Sequence, residues 1–182
     1  MVRVYYVTFF FSLSWESMGT GSTWAYYNFH LYFYNGIPVA LLLGWPAWLV
    51  TCYFLVDLLK RKLRLSNSFL VRSFLTFLSG MIVGFFVEVI GVGLGWWRYL
   101  PPLPKSWSIY VVNGWIHVIT FIGWGLIAFI LFEIANSLYY FLRRRVGKNI
   151  SLGMLLPLSI IMGVFIYVIL GYLYLSLPWS RE

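Results

Sequence analysis

Apolar residues in this chain come in long runs, with few of the polar interruptions that mark a one-sided surface helix or a half-buried strand. Five such runs cover residues 2–18, 32–58, 72–95, 110–141 and 152–177. Each is close to or above the roughly 20 residues that a helix needs to cross a bilayer. The pattern predicts an all-α, polytopic integral membrane protein of five transmembrane helices, a single transmembrane domain over 1–182. Arg3 followed by an apolar run would also suit a signal peptide. The punctuation that ends this run recurs later in the chain, so the run is read as a helix of the fold.

The polar breaks set an orientation. Lys60, Arg61, Lys62, Arg64 and Arg72 surround the second break, and Arg143, Arg144, Arg145 and Lys148 the fourth. The first outer connection has no lysine or arginine, and the second has only Arg98 and Lys105. Basic loops stay on the cytoplasmic side, which predicts a cell-membrane, multi-pass protein with its N-terminus inside and its C-terminus outside. Trp24, Tyr26, Tyr27, Trp96, Trp97, Tyr99 and Trp107 then fall where the chain emerges, as an aromatic belt at the headgroups. The Asn149-Ile150-Ser151 sequon faces the cytoplasm and is not expected to carry a glycan.

Composition sharpens this picture. The 182 residues are 62% hydrophobic and only 10% charged, with mean hydropathy +0.84. Soluble domains carry about 25% charged residues. The net charge of +8 sits in the two basic loops, so it signals topology and contact with anionic lipid, with no nucleic-acid partner. Cys52 is the single cysteine, which excludes an internal disulfide and suits a small packing side chain.

Two stretches of the chain match each other. Glu16, Gly19, Gly21, Trp24 and Tyr27 superimpose on Glu88, Gly91, Gly93, Trp96 and Tyr99 with one constant offset. Asn35-Gly36 then matches Asn113-Gly114, and Gly44-Trp45 matches Gly123-Trp124. This predicts two tandem two-helix repeats, 1–65 and 73–146, with an extra helix over 152–177. Parallel repeats tend to build a site at their interface near the bilayer midplane.

The chemistry-bearing groups are few. Glu16, Glu88 and Glu133 lie inside apolar runs, where an ionisable group is costly and marks a functional site by default. Glu88 precedes the outer exit by nine residues, on the order of 10–14 Å of helix, and His117 lies at a similar depth in the next span. Asn113, one helical turn above His117, shares that face, and Glu16 faces Asn35 and a kink at Pro38. Glu16, Glu88 and His117 are therefore the candidate catalytic groups. Asn35, Trp45, Trp96, Asn113 and Trp124 are the candidate substrate-binding ones. Glu133 reads as a helix-pairing residue, and Asp57 as a solvated partner of Lys60. Two distant histidines make no metal-ligand pattern, and no metal or other cofactor is expected.

The Glu–Gly–Gly–Trp–Tyr cluster, followed by Asn35-Gly36-Ile37-Pro38-Val39-Ala40 and Gly44-Trp45, resembles the membrane carotenoid-biosynthesis proteins that include the bacterioruberin-pathway hydratases. The resemblance covers about residues 10 to 60 well and the second unit loosely. It implies action on the end of a hydrophobic isoprenoid substrate. Glu88 or Glu16 would protonate a terminal double bond, and Trp45, Trp96 and Trp124 would shield the cation. Hydration follows if water adds, and cyclisation if the pocket is drier. Two other functions fit the same residues: a small proton- or cation-coupled carrier, helped by homo-oligomerisation, and a non-catalytic subunit of a membrane complex.

Overall fold

The computed structural model describes residues 2–21, 24–66, 68–100, 108–146, 157 and 159–169. Lys105, Trp107, Lys148, the 149–151 sequon and the ends of the fifth predicted run lie outside the described residues.

In chain order the elements begin with helix α1 (Val2–Gly19), strand β1 (Trp24–Tyr26), helix α2 (Val39–Lys62) and helix α3 (Phe69–Gly93). Strands β2 (Trp97–Tyr99), β3 (Ser108–Val111) and β4 (Gly114–His117) follow. Helix α4 (Val118–Phe129) runs through a π-helical turn at Ile130–Ile134 into α5 (Ala135–Val146). Helix α6 spans Ser159–Ile169. Helices α2 and α3 are long and apolar enough to cross a membrane. The other described helices are shorter or less apolar than that.

Local chemistry explains the helix ends. Pro38, with φ −65°, sets the entry to α2 as its N-cap instead of kinking a longer helix. The α3 cap is Ser68, whose hydroxyl accepts from the Val71 N–H at 3.3 Å. Lys60, Arg61 and Lys62 close α2, where cations complement the exposed carbonyls. Pro46 lies inside α2 and is buried, so one carbonyl in the preceding turn loses its helical donor.

The chain is helical with two small sheets, which corrects the all-α expectation. β1 pairs antiparallel with β2, and β3 with β4. The fourth apolar run therefore starts as a hairpin, not as a helix at 110. Val112 and Asn113 form its two-residue turn, with Gly114 opening the return strand. Likewise Asn35 (φ +57°) and Gly36 (φ +74°) turn the chain before α2, which begins at Val39 instead of 32.

The core joins α1, α2, α4 and α6 around Phe11, Trp45, Leu49, Cys52, Ile127 and Ile166. A Cβ on Gly163 of α6 would overlap the Ser14 hydroxyl, so α6 lies tight on α1. The ribbon β1·β2 follows α1 and α3, and α2 and α4 start beside it. Their basic ends, at Lys62 and through α5 at Arg145, lie at the opposite pole of the bundle.

Candidate functional site

Helix α1 carries Glu16 to within a turn of its end, and β1 then folds back over it. Trp24 and Tyr26 are two residues apart on a strand, so both side chains leave the same face. That face meets Glu16. Its Oε2 accepts from Trp24 Nε1 at 3.0 Å and from the Tyr26 hydroxyl, and its Oε1 accepts from Trp45 Nε1 at 2.7 Å.

Helix α3 and β2 repeat the arrangement. Glu88 Oε2 accepts from Trp97 Nε1 at 3.1 Å, and Oε1 from Trp124 Nε1 at 2.9 Å. The Tyr99 hydroxyl also bonds Glu88, with the Thr120 side chain bonded to the same phenol. Each carboxyl thus holds one indole from its own strand, one indole from the next helix, and one phenol. Glu16 and Glu88 are 2% and 3% exposed.

The two cages face each other. In the ribbon Trp24 opposes Tyr99, Ala25 opposes Arg98 and Tyr26 opposes Trp97. Exchanging Trp24 with Trp97 and Tyr26 with Tyr99 leaves that register unchanged, as a local twofold axis through the Ala25–Arg98 pair would. Trp45 and Trp124 stack on each other at 4.8 Å with 29° between their planes, and Tyr26 meets Trp97 edge-on at 6.3 Å. One strong steric condition is shared as well. A Cβ on Gly19 would overlap the Trp24 indole, and one on Gly91 the Trp97 indole. Only glycine lets each strand fold its tryptophan back over the helix end.

Burial pushes the Tyr26 and Tyr99 hydroxyls well above the ordinary phenol range, and the adjacent charges of Glu16 and Glu88 push each further. Each phenol also feels the other unit's carboxyl. Both therefore stay protonated, as donors, at any physiological pH.

The structure brings Glu16, Glu88, Trp45 and Trp124 together and places the remaining candidates elsewhere. His117 caps α4, its Nδ1 accepting from the Ile119 N–H at 3.2 Å. Glu88's donors are Trp97, Tyr99 and Trp124, so the expected Glu88–His117 partnership gives way to an aromatic one. Asn113 sits in the hairpin turn, and its Nδ2 donates to the Gly93 carbonyl at 2.6 Å, tying the hairpin to the end of α3. Asn35 is exposed and reaches only toward the Ser17 carbonyl at 3.5 Å. Trp96 is 39% exposed and packs beside Phe29.

Trp24, Tyr26, Trp97 and Tyr99, expected in the headgroup belt, make the cages. The signal was a Trp-x-Tyr triplet in each unit, Trp24-Ala25-Tyr26 and Trp97-Arg98-Tyr99. The second unit has one more residue between its glycine and that triplet, and a gap-free alignment selects Trp96 and Tyr27 instead.

The other acids described, Glu133 and Asp57, form ion pairs. Arg72 Nε and Nη2 donate to the two oxygens of Glu133 at 2.7 and 2.6 Å, joining α3 to the π turn. Asp57 pairs with Arg61 at 2.6 Å, one turn on. No cluster of three or more His, Cys, Asp or Glu suited to a metal ion occurs among the described residues.

No family model matches the chain, and no curated protein or solved structure is significantly similar to it.

Proposed function

We propose that this chain is a five-span membrane protein whose paired glutamates protonate the terminal double bond of an isoprenoid chain. The observation that carries the reading is the pairing itself: two buried carboxyls, each among indoles and a phenol, next to a stacked Trp45–Trp124 pair. Buried charge in an apolar bundle is costly and is kept where it acts. Indole faces stabilise a nearby cation. The basic ends of α2 and α5 at one pole support a cytoplasmic placement of that pole.

In this reading an entering substrate displaces donors from one carboxylate, which takes up a proton from solvent and passes it to the terminal alkene carbon, leaving a tertiary cation beside the indoles. Water adds its oxygen to that cation, and its surplus proton returns to the carboxylate. The sum is alkene plus water giving a tertiary alcohol. Without water, an internal double bond attacks the cation, the ring closes, and loss of a proton to the carboxylate gives an isomer.

A second reading is favoured by the saturation of both carboxyls with donors. The cages would then be clasps that pin the ribbon to the helices of a non-catalytic subunit.

Expression in a lycopene-producing host, with pigments analysed by mass spectrometry, separates the two. A product heavier by one water supports hydration, and an isomer of equal mass with a blue-shifted spectrum supports cyclisation. Unchanged pigment beside folded, membrane-inserted protein favours the clasp.

A further inference from the structure

Helix α4 reaches the Glu88 cage twice. Trp124 donates its indole N–H to Glu88, and Thr120, one turn earlier on the same face, bonds the Tyr99 phenol. A phenol carries a single proton. Tyr99 gives it to Glu88, so in the second bond the Thr120 hydroxyl is the donor. Thr120, Tyr99 and Glu88 therefore make an unbroken chain in which each hydroxyl hydrogen points toward the carboxylate.

The chain leads outward. Glu88 is 3% exposed, whereas Thr120 is partly exposed. Thr120 is also the third residue of α4, just after the β3–β4 hairpin, where Val112 in the turn is 81% exposed. The other side chains that bond Glu88 are the indoles of Trp97 and Trp124. An indole N–H donates and cannot accept, so it cannot pass a proton along. A hydroxyl does both at one oxygen.

The first unit lacks this chain. Matching Trp45 to Trp124 aligns Leu41 with Thr120. Leu41 and Tyr26 pack against the same apolar cluster, and Tyr26 bonds Glu16 with no second hydroxyl among the described residues.

We propose that Thr120 and Tyr99 form a proton relay that connects the ribbon pole to Glu88, and that Glu16 has no such route. An acid in solution gives its proton to the Thr120 oxygen as the Thr120 proton passes to the Tyr99 oxygen and the Tyr99 proton to Glu88. Each hydroxyl ends with one proton, the carboxylate becomes a carboxylic acid, and the conjugate base stays in solution. Thr120 acts through Tyr99, as a positioning residue. Use of that proton on an alkene, with Glu88 as the acid that is resupplied, rests on the functional reading above, whereas the relay does not.

The test uses the full chain in lipid nanodiscs with tyrosine ¹³C-labelled at Cζ, the two resonances assigned by Tyr26→Phe and Tyr99→Phe. On transfer to D₂O, a deuteron on the hydroxyl shifts the Cζ resonance, so exchange is timed at each phenol separately. Tyr99 is expected to exchange faster than Tyr26. Thr120→Val should slow Tyr99 to the Tyr26 rate, and Thr120→Ser, which keeps the hydroxyl, should leave it fast. Equal rates for the two phenols in the unaltered chain, or a folded Thr120→Val variant that still exchanges fast at Tyr99, would overturn the relay. The comparison within the unaltered chain decides even where a variant fails to fold. No substrate is involved, so a negative pigment assay would count against the functional reading and leave the relay standing.

Discussion

A carboxylate accepts at both oxygens, whereas an amide accepts at one and donates at the other. That difference makes the cages testable. In Glu16→Gln, the amide nitrogen must face either the Trp45 N–H or the Trp24 and Tyr26 donors. A buried donor facing another donor costs about 1–3 kcal/mol. Both Glu16→Gln and Glu88→Gln are therefore expected to lower stability by about that amount in thermal or denaturant unfolding. An unaltered Tm would mean that the donors do not converge on these oxygens. The tryptophan neighbours give a sharper contrast. Trp97→Phe removes a donor from Glu88 and should destabilise by about 1–3 kcal/mol, whereas Trp96→Phe should stay within about 0.5 kcal/mol. The reverse order would restore the gap-free match of the two units. At this scale the acids were legible because a carboxyl in an apolar run is conspicuous. Their partners were not, because tryptophan and tyrosine near a predicted membrane exit already have an explanation in the interface.

Helices were the easy elements to read, since uninterrupted apolar runs locate α1, α2 and α3 to within several residues. The ribbons were hidden. β-branched and aromatic residues such as Ile109, Tyr110 and Ile116 suit a strand and an apolar helix alike, and the turn pair Val112-Asn113 is not one of the standard hairpin pairs that would tell them apart. The π turn was equally silent, being a matter of packing around Glu133. Its ion pair is open on one side, because the Arg72 side chain is 42% exposed while that of Glu133 is 1% exposed. Arg72→Met strands the Glu133 carboxylate and should cost up to about 3 kcal/mol, the low end for a broken buried pair. Adding Glu133→Met should recover much of that loss in a chemical-unfolding series. A double variant as unstable as the single one would show that the pair is not the source of the effect.

Across the whole molecule, the ribbon ties the exit of α1 to that of α3, and the Trp stack ties α2 to α4. Protonated Tyr26 and Tyr99 are part of that tie. Unfolded tyrosine ionises near pH 10, while both folded hydroxyls resist ionisation through burial. Their contribution should be complete below about pH 10 and fall as pH rises beyond it. Tyr26→Phe with Tyr99→Phe should flatten the alkaline arm of a stability–pH curve. Two helices long and apolar enough to cross a membrane, and the basic residues at the ends of α2 and α5, were readable from sequence. The meeting of the two units through a short antiparallel ribbon was not, because it depends on pairing between segments more than 70 residues apart.

The register of that ribbon is the most direct test of the account, since one symmetric pairing brings both cages together. Directly opposed residues on antiparallel strands have Cβ atoms about 4.5–5.5 Å apart, near the span that a disulfide bridges. Native Cys52 is buried and does not compete. Mild oxidation of Ala25→Cys/Arg98→Cys is expected to give a fast, nearly complete intramolecular cross-link, with Ala25→Cys/Trp96→Cys lagging far behind. Equal rates for the two pairs, or no cross-link in folded protein, would contradict it.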